Sequence, residues 1–211
     1  MTEKFLLADI GNTHFHLYDG NSIEHLLYEE AIEKYSQKKL YFISVKQELN
    51  HIIESIALWK NISKEIQLHG AYETMGVDRK ALCLSHEEGI FVDAGSAITV
   101  DVMQNGQYRG GFIVPGIRAM LEAYAQISPA LAVEFNANVS LEHLPATTKD
   151  GISYGIIAPI KALIDRHREG KKLYITGGDG KLLSHFFQDA VYDEKLVFYG
   201  MQKAMKGIEI C

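Results

Sequence analysis

Two short stretches of the chain place an acidic residue, a glycine and a small polar residue at the end of an apolar run. The first is Asp9-Ile10-Gly11-Asn12-Thr13, after Leu6-Leu7-Ala8. The second is Asp93-Ala94-Gly95-Ser96-Ala97-Ile98-Thr99-Val100-Asp101, after Ile90-Phe91-Val92. These residue types suit a site that handles a phosphate and its cation. Glycine lets a backbone approach a phosphate closely, and turn amides with a Ser or Thr hydroxyl can cradle its oxygens. A carboxylate at a strand end can hold a hydrated divalent cation or orient the water around it. Two such turns facing each other across a cleft would grip a triphosphate from both sides. A third cluster, Gly177-Gly178, follows Leu173-Tyr174-Ile175-Thr176 and precedes a helical pattern. Close backbone approach there suits the flat face of a nucleoside.

The elements that must position these turns repeat as well. Each Asp-x-Gly turn leads into an alternating strand and then a hairpin signal, Asp19-Gly20 in the first half and Gln104-Asn105-Gly106 in the second. Asp9 thus matches Asp93, Gly11 matches Gly95, and Asn12 matches Ser96. A duplicated domain accounts for this better than coincidence, and the chain divides into residues 1–86 and 87–211. Further strands are expected at Tyr41–Val45, Glu65–Leu68, Leu173–Ile175 and Leu196–Tyr199. Helices are expected at Glu29–Lys39, Gln47–Lys60, 79–86, Ile117–Ile127, Ile152–His167, Leu182–Phe187 and Met201–Glu209. Residues Ala130–Lys149 lack periodicity and read as a long loop, more often functional or ordered by a partner than idle.

Composition narrows the function classes. The chain has 211 residues, 47% hydrophobic, with a formal net charge of -6. No basic face is in evidence, which disfavours nucleic acid as a partner. The apolar run before Asp9 is too short for a signal peptide, and nothing approaches a membrane span, so a cytoplasmic protein is expected. Cys83 and Cys211 are the two cysteines and support neither a disulfide framework nor a cysteine metal site. No Walker-type Gly-x-x-x-x-Gly-Lys-Ser/Thr loop and no dinucleotide Gly-x-Gly-x-x-Gly fingerprint occurs. His14 and His16 alternate along a strand and read as ordinary strand residues rather than zinc ligands. Asp78 beside Arg79, taken alone, reads as a surface ion pair.

Taken in order, Asp9-Ile10-Gly11-Asn12-Thr13, Gly76-Val77-Asp78-Arg79, Asp93 to Asp101, Gly110-Gly111-Phe112-Ile113-Val114-Pro115-Gly116 and Thr176-Gly177-Gly178 span nearly the whole chain. In this order and spacing the chain resembles the type III pantothenate kinases. That resemblance implies an α/β fold of two duplicated ribonuclease-H-like (actin-like ATPase) domains, each a mixed five-stranded sheet flanked by helices. It implies ATP-dependent phosphorylation of pantothenate, the first step of coenzyme A biosynthesis, by a homodimer with sites at the subunit interface. ATP with Mg2+ and a monovalent cation, K+ or NH4+, are the implied cofactors.

By the same resemblance Asp9, Ile10, Gly11, Asn12, Thr13, His14, Phe15 and His16 form the first ATP loop. Ser96, Gly177 and Gly178 contact ATP as well. Tyr72, Gly76, Val77, Asp78 and Arg79 bind pantothenate, and Thr148 reaches it in the partner subunit's site. Asp78 is the general base and Asp93 holds the monovalent cation. Ser96 stands where the family usually has Thr, which keeps the hydroxyl. A non-catalytic nucleotide-binding accessory protein on the same fold, or a kinase for another small hydroxyl compound, are the competing expectations.

Overall fold

In the computed structural model, which describes residues 6–206, the repeated turns belong to two sheets built to one plan. The first part of the chain supplies β1 (Leu6–Ile10), β2 (Phe15–Tyr18), β3 (Ile23–Leu26), α1 (Tyr28–Tyr35), β4 (Leu40–Ser44), α2 (Asn50–Ile53), β5 (Trp59–Asn61) and α3 (Val77–Leu84). The second supplies β6 (Gly89–Ala94), β7 (Ala97–Gln104), β8 (Gln107–Pro115), α4 (Ile117–Ile127), α5 (Thr148–Arg168), β9 (Leu173–Thr176), α6 (Gly180–Ser184), β10 (Val191–Tyr192) and α7 (Leu196–Met205). The sheets run β3-β2-β1-β4-β5 and β8-β7-β6-β9-β10. Each is a three-stranded meander extended by two parallel strands. The same strand order in both bears out the duplication read from the repeat and is the ribonuclease-H-like architecture that the resemblance implies.

Local chemistry explains the shared meander. Asn105 (φ 53) and Gly106 (φ 71) both take the left-handed conformation that a tight two-residue hairpin needs. In the first sheet Asp19 Oδ1 accepts from the amides of Asn21 and Ser22 at 2.8 Å, and Gly20 takes φ 90. The parallel strands then register each Asp-x-Gly turn against its neighbour. Asp9 lies opposite Ile43, and Asp93 lies opposite Thr176.

The described chain separates into two compact units. One comprises residues up to Glu87, Met103–Arg109 and the segment from Glu194; the other comprises Glu88–Val102 and Gly110–Asp193. A division at residues 86 and 87 counts the last helix with the second half, whereas its packing places it in the first unit. Each unit has its own core. Ala8, Ile10, Phe15, Leu17, Leu40, Phe42 and Trp59 anchor the first, and Ile90, Val92, Ile98, Val100, Ile156, Ile160 and Ile175 the second.

Several expected elements differ. The helix expected over Gln47–Lys60 is a short helical stretch ending at Ile53, after which the chain enters β5 at Trp59. Trp59 packs in the core through a strand: it pairs with Leu40, and its indole N–H donates to the Tyr35 carbonyl at 3.1 Å. Ile52, by contrast, is exposed. Glu65–Leu68 forms no strand. Leu196–Tyr199 is the start of α7 rather than a strand, and Val191–Tyr192 takes the last place in the sheet. The run Leu196-Val197-Phe198 is buried because α7 packs tightly on α3: a side chain at Gly200 would collide with the Ala81 carbonyl. The helical register Leu196, Gly200 and Met201 therefore overrides the local strand preference. Residues 207–209 of the expected closing helix, and Cys211, lie outside the described residues. The helix expected over Leu182–Phe187 is the shorter α6, and α1 stops at Tyr35. Cys83 is buried.

Candidate functional site

In the first unit, the strand-end turn begins at Asp9 and closes where the Gly11 amide donates to the His14 carbonyl at 3.1 Å. Asn12, Thr13 and His14 at its tip are exposed, while Ile10 and Phe15 are buried and fix both ends in the core. Two side chains from other elements reach the turn. The Tyr28 hydroxyl donates to the Gly11 carbonyl at 2.8 Å, and Lys46 Nζ donates to the Asn12 carbonyl at 3.1 Å. Neither residue carries a local sequence signal: the pairing of β4 with β1 brings Lys46 there, and Tyr28 comes from the start of α1.

A cross-strand row starts at the same carboxylate. Asp9 faces His16 on β2, and His16 faces His25 on β3. The two rings share a hydrogen bond between Nδ1 atoms at 2.7 Å, so one must donate and the other accept. Burial, followed by the neighbouring His25 and His14, lowers the His16 pKa to about 4, so this ring is neutral near pH 7.

The segment Gly76-Val77-Asp78-Arg79 forms the entry into α3, with Gly76 as the residue before its first turn. The Asp78 carboxylate folds back onto the helix start, and Oδ1 accepts from the Arg79 amide at 2.7 Å. A Cβ at Gly76 would come within 2.5 Å of that oxygen, so a side chain there would make the Asp78 carboxylate shift. Arg79 is not a surface residue: it is 6% exposed. Its guanidinium donates to the Tyr72 hydroxyl at 2.7 Å and to the Tyr108 hydroxyl at 3.5 Å. Tyr72 thus joins the motif through Arg79. Tyr108 is brought in by the tip of the β7–β8 hairpin, where its amide donates to the His69 carbonyl at 2.9 Å. Gly70 (φ +83) leaves room for that close backbone passage. Sequence reasoning missed Tyr108, whose only local signal is the hairpin that carries it.

In the second unit, backbone bonds hold the turn from Asp93. The Gly95 amide donates to the Ala97 carbonyl at 3.0 Å, the Gly116 amide to the Ser96 carbonyl at 3.0 Å, and the Asp179 amide to the Ala94 carbonyl at 2.8 Å. Gly177 (φ +91) lies so near Asp93 Oδ1 and the Ala94 carbonyl that no side chain fits, and Gly116 lies equally near the carbonyls of Gly95 and Ser96. Gly177 therefore lies beside Asp93, Gly116 beside Ser96, and Gly178 is exposed. Asp179 lies beyond the strand end, and burial raises its carboxyl above the usual range.

Thr148 is the first residue of α5 and is exposed. The long loop before it is tied down. Thr147 caps the helix by accepting from the Asp150 amide at 3.1 Å, and Asn136 donates to the Asp150 carboxylate at 2.7 Å. Hydrogen bonds to its carboxylate, from Asn136 and then from the Thr147 hydroxyl, which donates to Oδ2 at 2.8 Å, lower the Asp150 pKa. The Asn136 amide also donates to the buried Ser153 hydroxyl at 2.8 Å.

Packing does not force glycine at either motif position. A Cβ added at Gly11 would meet nothing nearer than 3.6 Å, and at Gly95 nothing nearer than 3.9 Å. Neither has positive φ. The protein's own packing accommodates a methyl at both, as it does at Gly151 and Gly178. Among the described residues no cluster of three or more His, Cys, Asp or Glu side chains could hold a metal ion. Asp93, a single carboxylate among backbone carbonyls, is a donor set that fits a monovalent cation rather than a multi-carboxylate cage. Asp9 likewise fits a divalent ion that keeps most of its ligands from phosphate and water. No helix among the described residues is long and apolar enough to cross a membrane.

Residues 53–169 match the family model for type III pantothenate kinase. A type III pantothenate kinase from Campylobacter jejuni (strain RM1221) is 40% identical over 201 residues, covering 95% of this chain and 96% of the relative. A solved structure from Campylobacter jejuni, conjecturally named a conserved Baf family transcriptional activator, superposes with a TM-score of 0.88 at 38% identity. It covers 96% of this chain and 98% of its own. The activator of 2-hydroxyisocaproyl-CoA dehydratase from Clostridium difficile, solved with bound ADPNP, has a TM-score of 0.51 at 11% identity and covers 98% of both chains. It shares the fold alone.

Proposed function

Since the chain belongs to the type III pantothenate kinase family, we propose that it transfers the γ-phosphoryl group of ATP to the primary hydroxyl of pantothenate, opening coenzyme A synthesis. The observation that carries the residue assignment is the entry to α3, where the Asp78 carboxylate lies beside a buried Arg79 held by two tyrosine hydroxyls. Asp78 accepts the hydroxyl proton as the oxygen attacks the γ-phosphorus. The bond from that phosphorus to the bridging oxygen breaks, and ADP leaves. Arg79 is the cation that meets the pantothenate carboxylate, with Tyr72 holding the guanidinium in place. Gly76 and Val77 complete the acceptor site, and Thr148 contributes to it from the other subunit of a homodimer.

Residues Asp9 to His16, together with Ser96, Gly177 and Gly178, bind ATP. Phosphoryl transfer asks the protein mainly for positioning and charge neutralisation, and amide-lined turns with two carboxylates are suited to both. Asp9 holds Mg2+ with the nucleotide, and Asp93 holds K+ or NH4+. When bound, these cations neutralise charge on the phosphate oxygens. A cytoplasmic location goes with this reading. A purely regulatory role is not favoured, because curated relatives covering nearly all of this chain carry the kinase name.

The deciding experiment incubates the protein with ATP, Mg2+ and K+, with and without pantothenate, and follows ADP. Pantothenate-dependent ADP release is expected, and its absence overturns the assignment. Asp78→Asn should lower kcat by about 10²- to 10⁴-fold without altering the oligomer. Unchanged kcat would remove Asp78 as the base.

A further inference from the structure

We infer that Tyr28 and Lys46 are positioning residues for the nucleotide: they hold the first turn's carbonyl oxygens from behind, which aims its amides outward as a phosphate cradle. The inference rests on the reading of Asp9 to His16 as the nucleotide loop. In a trans peptide the C=O and the following N–H point in opposite directions, and the described chain has no cis peptide. The 2.8 Å bond from the Tyr28 hydroxyl to the Gly11 carbonyl therefore directs the Asn12 amide away from Tyr28. The 3.1 Å bond from Lys46 Nζ to the Asn12 carbonyl does the same for the next peptide plane and the Thr13 amide. The Asn12 amide has no acceptor among the described residues. It belongs to an exposed residue, one position after a glycine that packing does not require.

The placement of Lys46 is built into the sheet, and Tyr28 is the first residue of α1. Ile10 lies opposite Ser44 in the parallel pair, and the Val45 amide donates to the Ile10 carbonyl at 3.1 Å, so residue 46 comes level with residue 12. The Lys46 amide donates to Ser44 Oγ at 3.2 Å, which secures the backbone there. Its ammonium also lies 5.5 Å from the centroid of the Tyr28 ring, so the two holders brace each other. The competing carboxylate, Glu48 at 3.7 Å, is 85% exposed and pulls weakly through solvent. A lysine tethered at this point also adds positive charge beside the turn, which favours an anionic ligand.

Calorimetric titration of the full chain with Mg·ADP tests this without requiring turnover. Tyr28→Phe keeps the ring and removes the hydroxyl; Lys46→Met keeps the stem and removes the charge. Each should raise the Kd for ADP by about 3- to 10-fold, the range of one hydrogen bond. Lys46→Arg should recover most of the loss. The KM for pantothenate should stay within about twofold of wild type. An amide NMR shift of Asn12 on adding ADP should shrink in both variants. Unchanged ADP affinity in Tyr28→Phe and Lys46→Met overturns the inference, and so does an equal loss of pantothenate affinity, which marks general damage. Wild-type protein that binds ADP without turning over pantothenate breaks the substrate assignment alone.

Discussion

The two Asp-x-Gly turns are copies in sequence and in sheet position, yet they are secured by different means. The turn at Asp9 is braced by side chains, Tyr28 and Lys46, that reach its carbonyls from α1 and from the end of β4. The turn at Asp93 is braced by backbone pressed against backbone, through Gly116, Gly177 and the Asp179 amide. Residues three beyond the strand partners of the two aspartates show the divergence: Lys46 follows Ile43, and Asp179 follows Thr176. After duplication, one copy kept a cation at that position and the other a carboxyl. A side-chain brace loses one hydrogen bond when truncated, whereas a backbone brace has no room to give. The first turn should therefore be tunable and the second all-or-none.

Gly177→Ala is the largest test of that difference. It forces a left-handed residue to carry a Cβ against the Ala94 carbonyl and the Asp93 carboxylate, so we expect a loss of about 3 kcal/mol or more in stability. Thermal unfolding should register it as a fall of roughly 6–12 °C. A melting temperature equal to wild type would show that the second turn yields as easily as the first.

Next in size are Gly11→Ala and Gly95→Ala, where the two turns should behave alike. The surroundings admit a methyl at each, so stability should hold or rise by about 0.4–1 kcal/mol. Nucleotide affinity should nonetheless fall by about 10- to 100-fold, because the methyl intrudes where the phosphate approaches. Unaltered ADP binding in either variant would detach that turn from the nucleotide.

The smallest effect at neutral pH concerns His16 in the first turn's cross-strand row. Its folded pKa of about 4 lies below the ordinary 6.5, so as pH falls below 6.5 the unfolded chain takes up a proton that the folded chain refuses. The stability this ring confers is intact above pH 6.5, declines as pH falls, and levels off below about 4. Denaturant unfolding at several pH values should show His16→Gln losing less stability than wild type across that window. Parallel curves would mean that the ring titrates normally in the folded protein.

Much of this molecule was readable from local pattern. The apolar runs ending in Asp9 and Asp93, the Asp19-Gly20 and Asn105-Gly106 hairpins, and the long stripe from Ile152 to Ile164 all became the elements expected of them. In each, side-chain period and turn chemistry agree with the tertiary outcome. Where they conflicted, packing won. Trp59 reads as part of a helical stripe but is taken by the sheet through Leu40, and Leu196-Val197-Phe198 reads as a strand but follows the helix that Gly200 docks on α3. Arg79 beside Asp78 reads as an exposed pair, and only the fold buries it under Tyr72 and Tyr108.

The order of residues along the chain was enough to specify two Asp-x-Gly turns, their duplication, and the acidic and basic pair that precedes the second half, because each depends on residue type and on spacing of a few positions. What holds those residues was decided only in three dimensions. Tyr28, Lys46 and Tyr108 reach their partners from the start of α1, through strand register and through hairpin placement, across separations that leave no periodic trace in sequence. Gly177 and Gly116 look like ordinary turn glycines until the carbonyls they admit are seen beside them.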